Sequence, residues 1–323
     1  MDAEKEILIS VFCTTYNHRK YIRQCLDGMV SQKTEYPFEI IVRDDASTDG
    51  TGDIIREYAE KYPELIVPFI QKENMFSQGK SKVSFEEMFR MSRGKYAAVC
   101  EGDDFWTDPE KLQLQAGFLE THPDYSVCCT ASWYANEDGS LQKGRVFRRF
   151  TESRDLSVED LIAGWSAATN TVVYRKAAMK EIHIPFQGDC VNEDYARMIY
   201  LALQGKAYYM DRITGAYRVA SAGSFTQQAA KNADIYKART LEFAAMMDRL
   251  DEYTGGKYTD AIRRYRDQRL FDMYANLGDR ENMKKYLSSY NNRGLLWRTL
   301  EAVRTAAPGP FNAVKDAVRR IRK

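Results

Sequence analysis

Short, dense apolar runs alternate with helically spaced ones through the first two-thirds of the chain. Residues 7–13 form a compact β-branched run ending at Thr14-Thr15-Tyr16-Asn17, which predicts a buried strand and then a loop. Residues 20–31 place Tyr21, Cys25, Leu26 and Met29 on one helical face. Residues 38–43 predict a second buried strand that stops at Asp44-Asp45. A helix, a strand (65–70), a helix (85–91) and a strand (96–100) follow. This strand–helix rhythm predicts an α/β fold, a mostly parallel sheet flanked by helices. Ligands of such sheets bind beyond the carboxyl ends of the strands. The acidic clusters of this sequence fall at those ends.

Further along, Asp108 before Pro109 predicts a helix start running through Phe118-Leu119. Residues 125–130 predict a strand, and 161–174 are partly strand-like. Glu193-Asp194 open a helix with Tyr195, Met198, Ile199, Ala202 and Leu203 on its apolar face, and a short strand (207–210) leads to Gly215-Ala-Tyr-Arg218. From about Phe225 the periodicity is helical throughout. The expected division is a first domain at 1–224 and a helical C-terminal region at 225–323, whose end, after Pro308-Gly309-Pro310, is basic.

Composition narrows the possibilities. A chain of 323 residues with 44% hydrophobic and 29% charged residues has ample material for a core. A formal net charge of +1 gives no bulk pull toward nucleic acid, so no nucleic-acid partner is expected. The six cysteines show no CxxC pair and no zinc-like spacing to the three histidines, and several sit in apolar runs. Reduced core thiols and a cytoplasmic location are expected. No stretch is long and apolar enough to span a bilayer, and Asp2, Glu4 and Glu6 do not resemble a secretory leader. Residues 291–323 carry eight Lys/Arg against two acids, interleaved with Leu295, Leu296, Trp297, Val314, Val318 and Ile321. Such a tail docks peripherally on the anionic inner face of a membrane or, equally, packs on the core or mediates homo-oligomer formation.

Three acidic clusters carry the chemistry. Glu101, Asp103 and Asp104 crowd one strand end. Two charges ~4 Å apart repel by ~4 kcal/mol at an effective dielectric of about 20. The carboxylates must therefore splay into water, protonate, or share a hard divalent cation. The second cluster, Asp44-Asp45-Ala-Ser47-Thr48-Asp49-Gly50-Thr51, imitates a calcium loop but places Arg56 where a bidentate glutamate is required. Asp49 or Thr51 can instead cap the next helix, while a strand-end carboxylate accepts hydrogen bonds from a base or ribose. Glu193-Asp194 complement a helix dipole, or supply a positioned general base.

Other patterns compete. Asn74 to Ser81, with Gly79-Lys80-Ser81, is one glycine short of a phosphate loop, which leaves a P-loop-like nucleotide hydrolase as an alternative. Gly50-Thr-Gly52 lacks the third glycine of a dinucleotide fingerprint. No nucleophile elbow or histidine triad is evident, and His18, His122 and His183 read as surface or filler residues.

Taken together, ISVFCTTYNHRKYIRQCLDGMVSQ, FEIIVRDDASTDGT, GKYAAVCEGDDFWTDPEKLQLQ, NEDYARMIYLALQGKAYYMD and YRVASAGSFT resemble family 2 nucleotide-sugar glycosyltransferases of GT-A-type fold over roughly residues 5–228. The nearest likeness is to bacterial enzymes that build capsule, lipopolysaccharide or exopolysaccharide. The resemblance implies an inverting transfer from a nucleoside-diphosphate sugar, a UDP-sugar favoured, to a glycan or lipid-linked acceptor. It implies that Thr14, Tyr16 and Asn17 line the base pocket, with Asp45 on the base and Asp44 in support. Asp103 would approach the ribose or sugar, and Asp104 would be the main ligand of a Mn²⁺ or Mg²⁺ ion, Asp103 joining it. Asp194 would be the general base with Glu193 beside it, and Lys80 and Arg218 would reach the donor phosphates. Two departures stand out: Glu101 where the metal motif often begins with Asp, and Ala220 where many relatives carry His. A non-catalytic nucleotide-sugar binder is the remaining alternative.

Overall fold

A computed structural model describes residues 6–79, 81–219 and 232–286, with the side chains of 81–84 set aside. These residues fall into two compact units, one within Met1–Pro185 and Glu193–Ser224, the other within Phe186–Asn192 and Phe225–Lys323.

The first unit is built on a ten-stranded sheet. Its strands are β1 (Ile9–Thr15), β2 (Phe38–Asp44), β3 (Ile66–Ile70), β4 (Tyr96–Val99), β5 (Phe105–Trp106), β6 (Tyr125–Ala135), β7 (Leu141–Phe147), β8 (Arg154–Leu156), β9 (Val173–Arg175) and β10 (Lys206–Arg218). The order is β3-β2-β1-β4-β9-β6-β10-β5, with β7 on β6 and β8 on β10. Strands β1 to β4 run parallel, as do β6 and β10. The short β9 runs antiparallel to both β4 and β6 and joins the two parallel blocks.

The helices of this unit are α1 (Ile22–Val30), α2 (Thr51–Lys61), α3 (Ser81–Met91), α4 (Lys111–Thr121), α5 (Val158–Ile162) and α6 (Glu193–Gln204). The core explains the pairing. The β1 side chains Ile9, Val11 and Cys13 meet Ile22, Cys25, Leu26 and Met29 of α1, all of them fully buried. Those four α1 positions recur at helical spacing, so one stripe faces the sheet. Gly28 permits a closer approach still, because a Cβ there would stand 2.7 Å from the Trp106 carbonyl oxygen.

The sheet is mostly parallel, as the strand–helix rhythm predicts, and four local differences have physical causes. Residues 206–218 form one continuous strand, because β10 keeps its pairing to β6 through register shifts near Met210 and Ile213. The 161–174 stretch breaks into the end of α5, a 3₁₀ turn at Thr169–Thr171 and β9. Asp108 does not cap α4 itself: its Oδ1 accepts from Glu110 N at 3.0 Å, and its carboxylate pairs with Arg212. His18 is half-buried rather than superficial, its Nδ1 shielded from water and without a partner.

In the second unit α7 (Ala233–Tyr253), α8 (Thr259–Leu277) and α9 (Arg280–Lys285) pack around Ala244, Leu270 and Met273 and around Phe271 and Met283. Among the described residues no helix is long and apolar enough to cross a membrane. All six cysteines are buried and free. The expected boundary at 224/225, Lys80, Ala220 and the basic tail at 291–323 lie outside the described residues.

Candidate active site

Strands β2 and β4 flank β1, and their carboxyl ends carry the first two acidic clusters. Beyond β2, the chain turns sharply through Ala46 in the left-handed region (φ 58°), an uncommon conformation for a residue with a Cβ. The turn is built from side chains. Asp44 is buried and accepts from Ser47 through both its hydroxyl and its amide. Asp45, also buried, accepts from Arg43 Nη2 at 2.7 Å, Met75 N at 2.9 Å and Phe76 N at 3.1 Å. Asp49 accepts from Arg19 N, Thr51 N and Thr51 Oγ1. Burial pushes the Asp44 carboxyl up, while the three bonds on Asp49 help hold its carboxyl down against burial.

Asn17 ties the β1 loop to this turn. Its φ is 54°, its amide donates to Ser47 Oγ at 2.8 Å, and its Oδ1 accepts from Thr48 N at 2.9 Å. Thr14 is half-buried with its carbonyl held by Gly102 N at 2.8 Å, and Tyr16 presents an exposed ring. Among the described residues of the loop after β3, the first amides turn inward rather than cradling a phosphate. The Met75 and Phe76 amides point at Asp45, and Asn74 Oδ1 takes the Ser77 amide at 2.6 Å.

Beyond β4 the arrangement differs. Asp104 is buried at 3% exposure and accepts two bonds, from Asn170 Nδ2 at 3.1 Å and Arg218 N at 2.8 Å. Both donors are neutral. Burial, then Asp103, then Glu101, push its carboxyl well above the usual range. Glu101 rises to about 8, driven by burial, then by Asp194, then by Asp103. The third cluster thus lies within electrostatic reach of the first, although some 90 residues separate them in the chain.

Asp194 stands in the first turn of α6, half-buried, with Oδ2 accepting from Thr169 Oγ1 at 2.9 Å. Burial raises its carboxyl, and the bond from Thr169 lowers it. Glu193 is ion-paired with Arg197, whose guanidinium lies over the Phe85 ring at 4.2 Å. Asp194 lines a cleft with Val99, Trp165, Ser166, Thr169 and Arg197.

Arg218, expected at the donor phosphates, is buried, and its guanidinium is turned to the protein. It donates to the Asp103 carbonyl at 2.6 Å, to the Asn136 and Glu137 carbonyls and to Gln24 Oε1. It lies over the rings of Tyr21 and Phe105. These contacts brace the Asp103–Asp104 turn. Sequence reasoning points to the 165–171 segment as shaping the acceptor side but gives no individual role to Thr169, Asn170, Arg197 or His18. Thr169 and Asn170 sit in a stretch with no periodicity, and the carboxylates they hold lie 25 and 66 residues away.

The donor set suits a hard divalent cation. Asp104 and Asp103 offer oxygen ligands, and the mutual repulsion that raises Asp104 is what a cation would relieve. Among the described residues no three His, Cys, Asp or Glu side chains converge as a ready-made metal cage. Mg²⁺-like ions need none, since one or two carboxylates plus substrate phosphates suffice.

The sequence model described as glycosyl transferase family 2 matches residues 10–182. An uncharacterized protein of Mycobacterium tuberculosis is 43% identical over 168 residues, 52% of this chain and 47% of that one. The chain thus spans about half the length of such curated relatives. The putative teichuronic acid biosynthesis glycosyltransferase TuaG of Bacillus subtilis is 28% identical over 66% of this chain and 79% of its own. Among solved structures, S. aureus TarS 1-349 in complex with UDP-GlcNAc matches with a TM-score of 0.54 at 18% identity, covering 88% of this chain and 92% of that one. The mannosyltransferase PcManGT from Pyrobaculum calidifontis, in complex with GDP-Man and Mn²⁺, matches at 0.56 and 14% identity, covering 97% and 79%. These likenesses establish the GT-A-type fold.

Proposed function

Because the chain belongs to glycosyl transferase family 2, we propose that it transfers a sugar from a nucleoside-diphosphate donor to an acceptor hydroxyl with inversion at the anomeric carbon. A UDP-sugar is favoured as donor and a glycan or lipid-linked alcohol as acceptor, in the building of bacterial surface polysaccharide. One observation carries the reading. Asp104 and Asp194 come from elements far apart in sequence, yet consecutive residues of one turn hold both.

In this reading Asp194 takes the proton of the acceptor hydroxyl. A base of this kind is worth ~10²–10⁴-fold in rate. Its position at a helix start fixes its direction, and the raised carboxyl is a better proton acceptor than an exposed one. Glu193 keeps Arg197 in place beside it. Asp104, with Asp103, would hold Mn²⁺ or Mg²⁺, which when bound offsets charge building on the leaving diphosphate. Thr14, Tyr16 and Asn17 would border the nucleoside. Asp45, supported by Asp44, would shape that pocket through the 75–76 main chain it already holds. Arg218 serves as a brace for the acidic turn, and Lys80 remains a candidate for the donor phosphates. The basic tail would bring the enzyme to the inner face of the membrane, or join copies of the chain.

The test is a panel of UDP-, GDP-, ADP- and dTDP-sugars, read as Mn²⁺-dependent donor hydrolysis and as thermal shift. Stabilisation and turnover by a UDP-sugar is the expected result. Stabilisation by ATP with no nucleotide-sugar turnover would overturn the proposal.

A further inference from the structure

Two consecutive side chains of the Thr169–Thr171 turn diverge to two carboxylates. Thr169 Oγ1 donates to Asp194 Oδ2 at 2.9 Å, and Asn170 Nδ2 donates to Asp104 Oδ2 at 3.1 Å. We propose that this turn is a positioning bridge, in which Thr169 and Asn170 set the acceptor-side carboxylate of Asp194 against the donor-side carboxylate of Asp104. The inference rests on the reading of those two aspartates given above.

The turn is held far more firmly than a connection of three residues needs. Trp106 Nε1 donates to the Asn170 carbonyl at 2.8 Å. Gln115 Nε2 donates to the Thr171 carbonyl at 2.9 Å, and Lys111 Nζ reaches the same oxygen at 3.3 Å. Thr171 Oγ1 closes back on the Ala168 carbonyl at 2.7 Å. Lys111 and Gln115 are fully buried on α4, where polar groups are costly unless hydrogen-bonded. Placing an ammonium and an amide in the core to grip one carbonyl fixes the turn against the sheet.

The Asn170 amide is locked in one orientation. Its Nδ2 also donates to the Ala216 carbonyl at 2.9 Å, so a flip would set Oδ1 against a carboxylate and a carbonyl at once. Its Oδ1 is buried without a partner, a cost of the kind that marks a constraint beyond packing. The backbone side of the bridge is equally short. Asn170 and Thr169 are adjacent, so a shift of the turn moves both carboxylates together.

A turn that merely completes the fold and a bridge that positions chemistry differ in what their variants do. The readouts are turnover of the nucleotide-sugar selected by the panel, and calorimetry with UDP and Mn²⁺. Thr169→Val is expected to lower kcat roughly ten- to a hundredfold at unchanged donor KM and UDP affinity, since a bond to a charged group is lost. The acid limb of its rate profile moves upward, because that bond holds the Asp194 carboxyl down. Thr169→Ser restores kcat to within about threefold, the hydroxyl being kept. Asn170→Ala is expected to weaken Mn²⁺-dependent UDP binding about tenfold. Combined with Asp194→Asn, Thr169→Val adds nothing further; combined with Asp104→Asn, neither does Asn170→Ala. A large loss in Asp194→Asn with parent-like kcat in Thr169→Val overturns the bridge alone, as do fully additive double variants. Parent-like turnover in Asp194→Asn overturns the functional reading, and the bridge with it.

Discussion

The clusters beyond β2 and β4 look alike in sequence, each a run of acids closing a buried strand, but the fold treats them oppositely. Beyond β2, Asp45 is paired with the Arg43 guanidinium and two amides, while Asp44 and Asp49 each accept several bonds from nearby hydroxyls and main-chain amides. They stitch loops together. Beyond β4, Asp104 also accepts from two neutral donors, but burial together with Asp103 and Glu101 pushes it up, and burial together with Asp194 and Asp103 pushes Glu101 up to about 8. What separates the two clusters is crowding among buried acids, which in the function proposed above a cation or a proton would relieve.

The comparison can be broken most directly at Asp194. Asp194→Asn should lower turnover by about 10²–10⁴-fold and leave UDP–Mn²⁺ affinity unchanged, and steady-state kinetics with calorimetry check both. Next comes the scaffold side. Asp45→Ala takes the carboxylate from the buried Arg43 guanidinium, which keeps its bonds to Gln71 Oε1, and frees two amides, and should cost about 3 kcal/mol in denaturant unfolding. Asp104→Asn sharpens the contrast: Mn²⁺-dependent UDP binding should be lost, while apo stability should fall by about 1 kcal/mol, less than for Asp45→Ala, because relief of a crowded charge partly offsets the donor that the new amide turns toward Asn170 or Arg218 N. A similar loss of stability in the Asp45 and Asp104 variants would erase the distinction.

A last test turns to a buried ammonium that makes no ion pair among the described residues, held by Gln115 and the Thr171 carbonyl. Burial pushes the Lys111 ammonium down to about 8. The unfolded chain, near 10.4, therefore binds more protons between about pH 8 and 10.4, so this group's contribution to stability rises with pH across that window. Relative to Lys111→Met, the parent should gain about 1 kcal/mol per pH unit there, measured as the difference between the two unfolding curves. Taking the difference cancels the buried thiols, which titrate in the opposite sense.

Much of the fold was legible because burial writes itself into local pattern. The β-branched runs at 7–13 and 38–43 become the strands 9–15 and 38–44, and the stripe Tyr21, Cys25, Leu26 and Met29 differs from the buried face of α1 only in Tyr21, which precedes the helix where Ile22 opens it. The acidic candidates were legible as well, since carboxylates at strand ends are conspicuous. Illegible were the orientation of Arg218, whose side chain turned to carbonyls rather than outward, and the individual partners of Thr169 and Asn170, ordinary polar residues in an aperiodic stretch.

Sequence alone determined the α/β architecture and the chemical kind of the groups at the strand ends, because hydrophobic periodicity and residue type are local properties. Which carboxylates are satisfied, which crowd one another, and which turn joins them was decided in three dimensions. Hydrogen bonds and Coulomb forces act over a few ångströms of space, and only folding brings residues 104, 170 and 194 within that range.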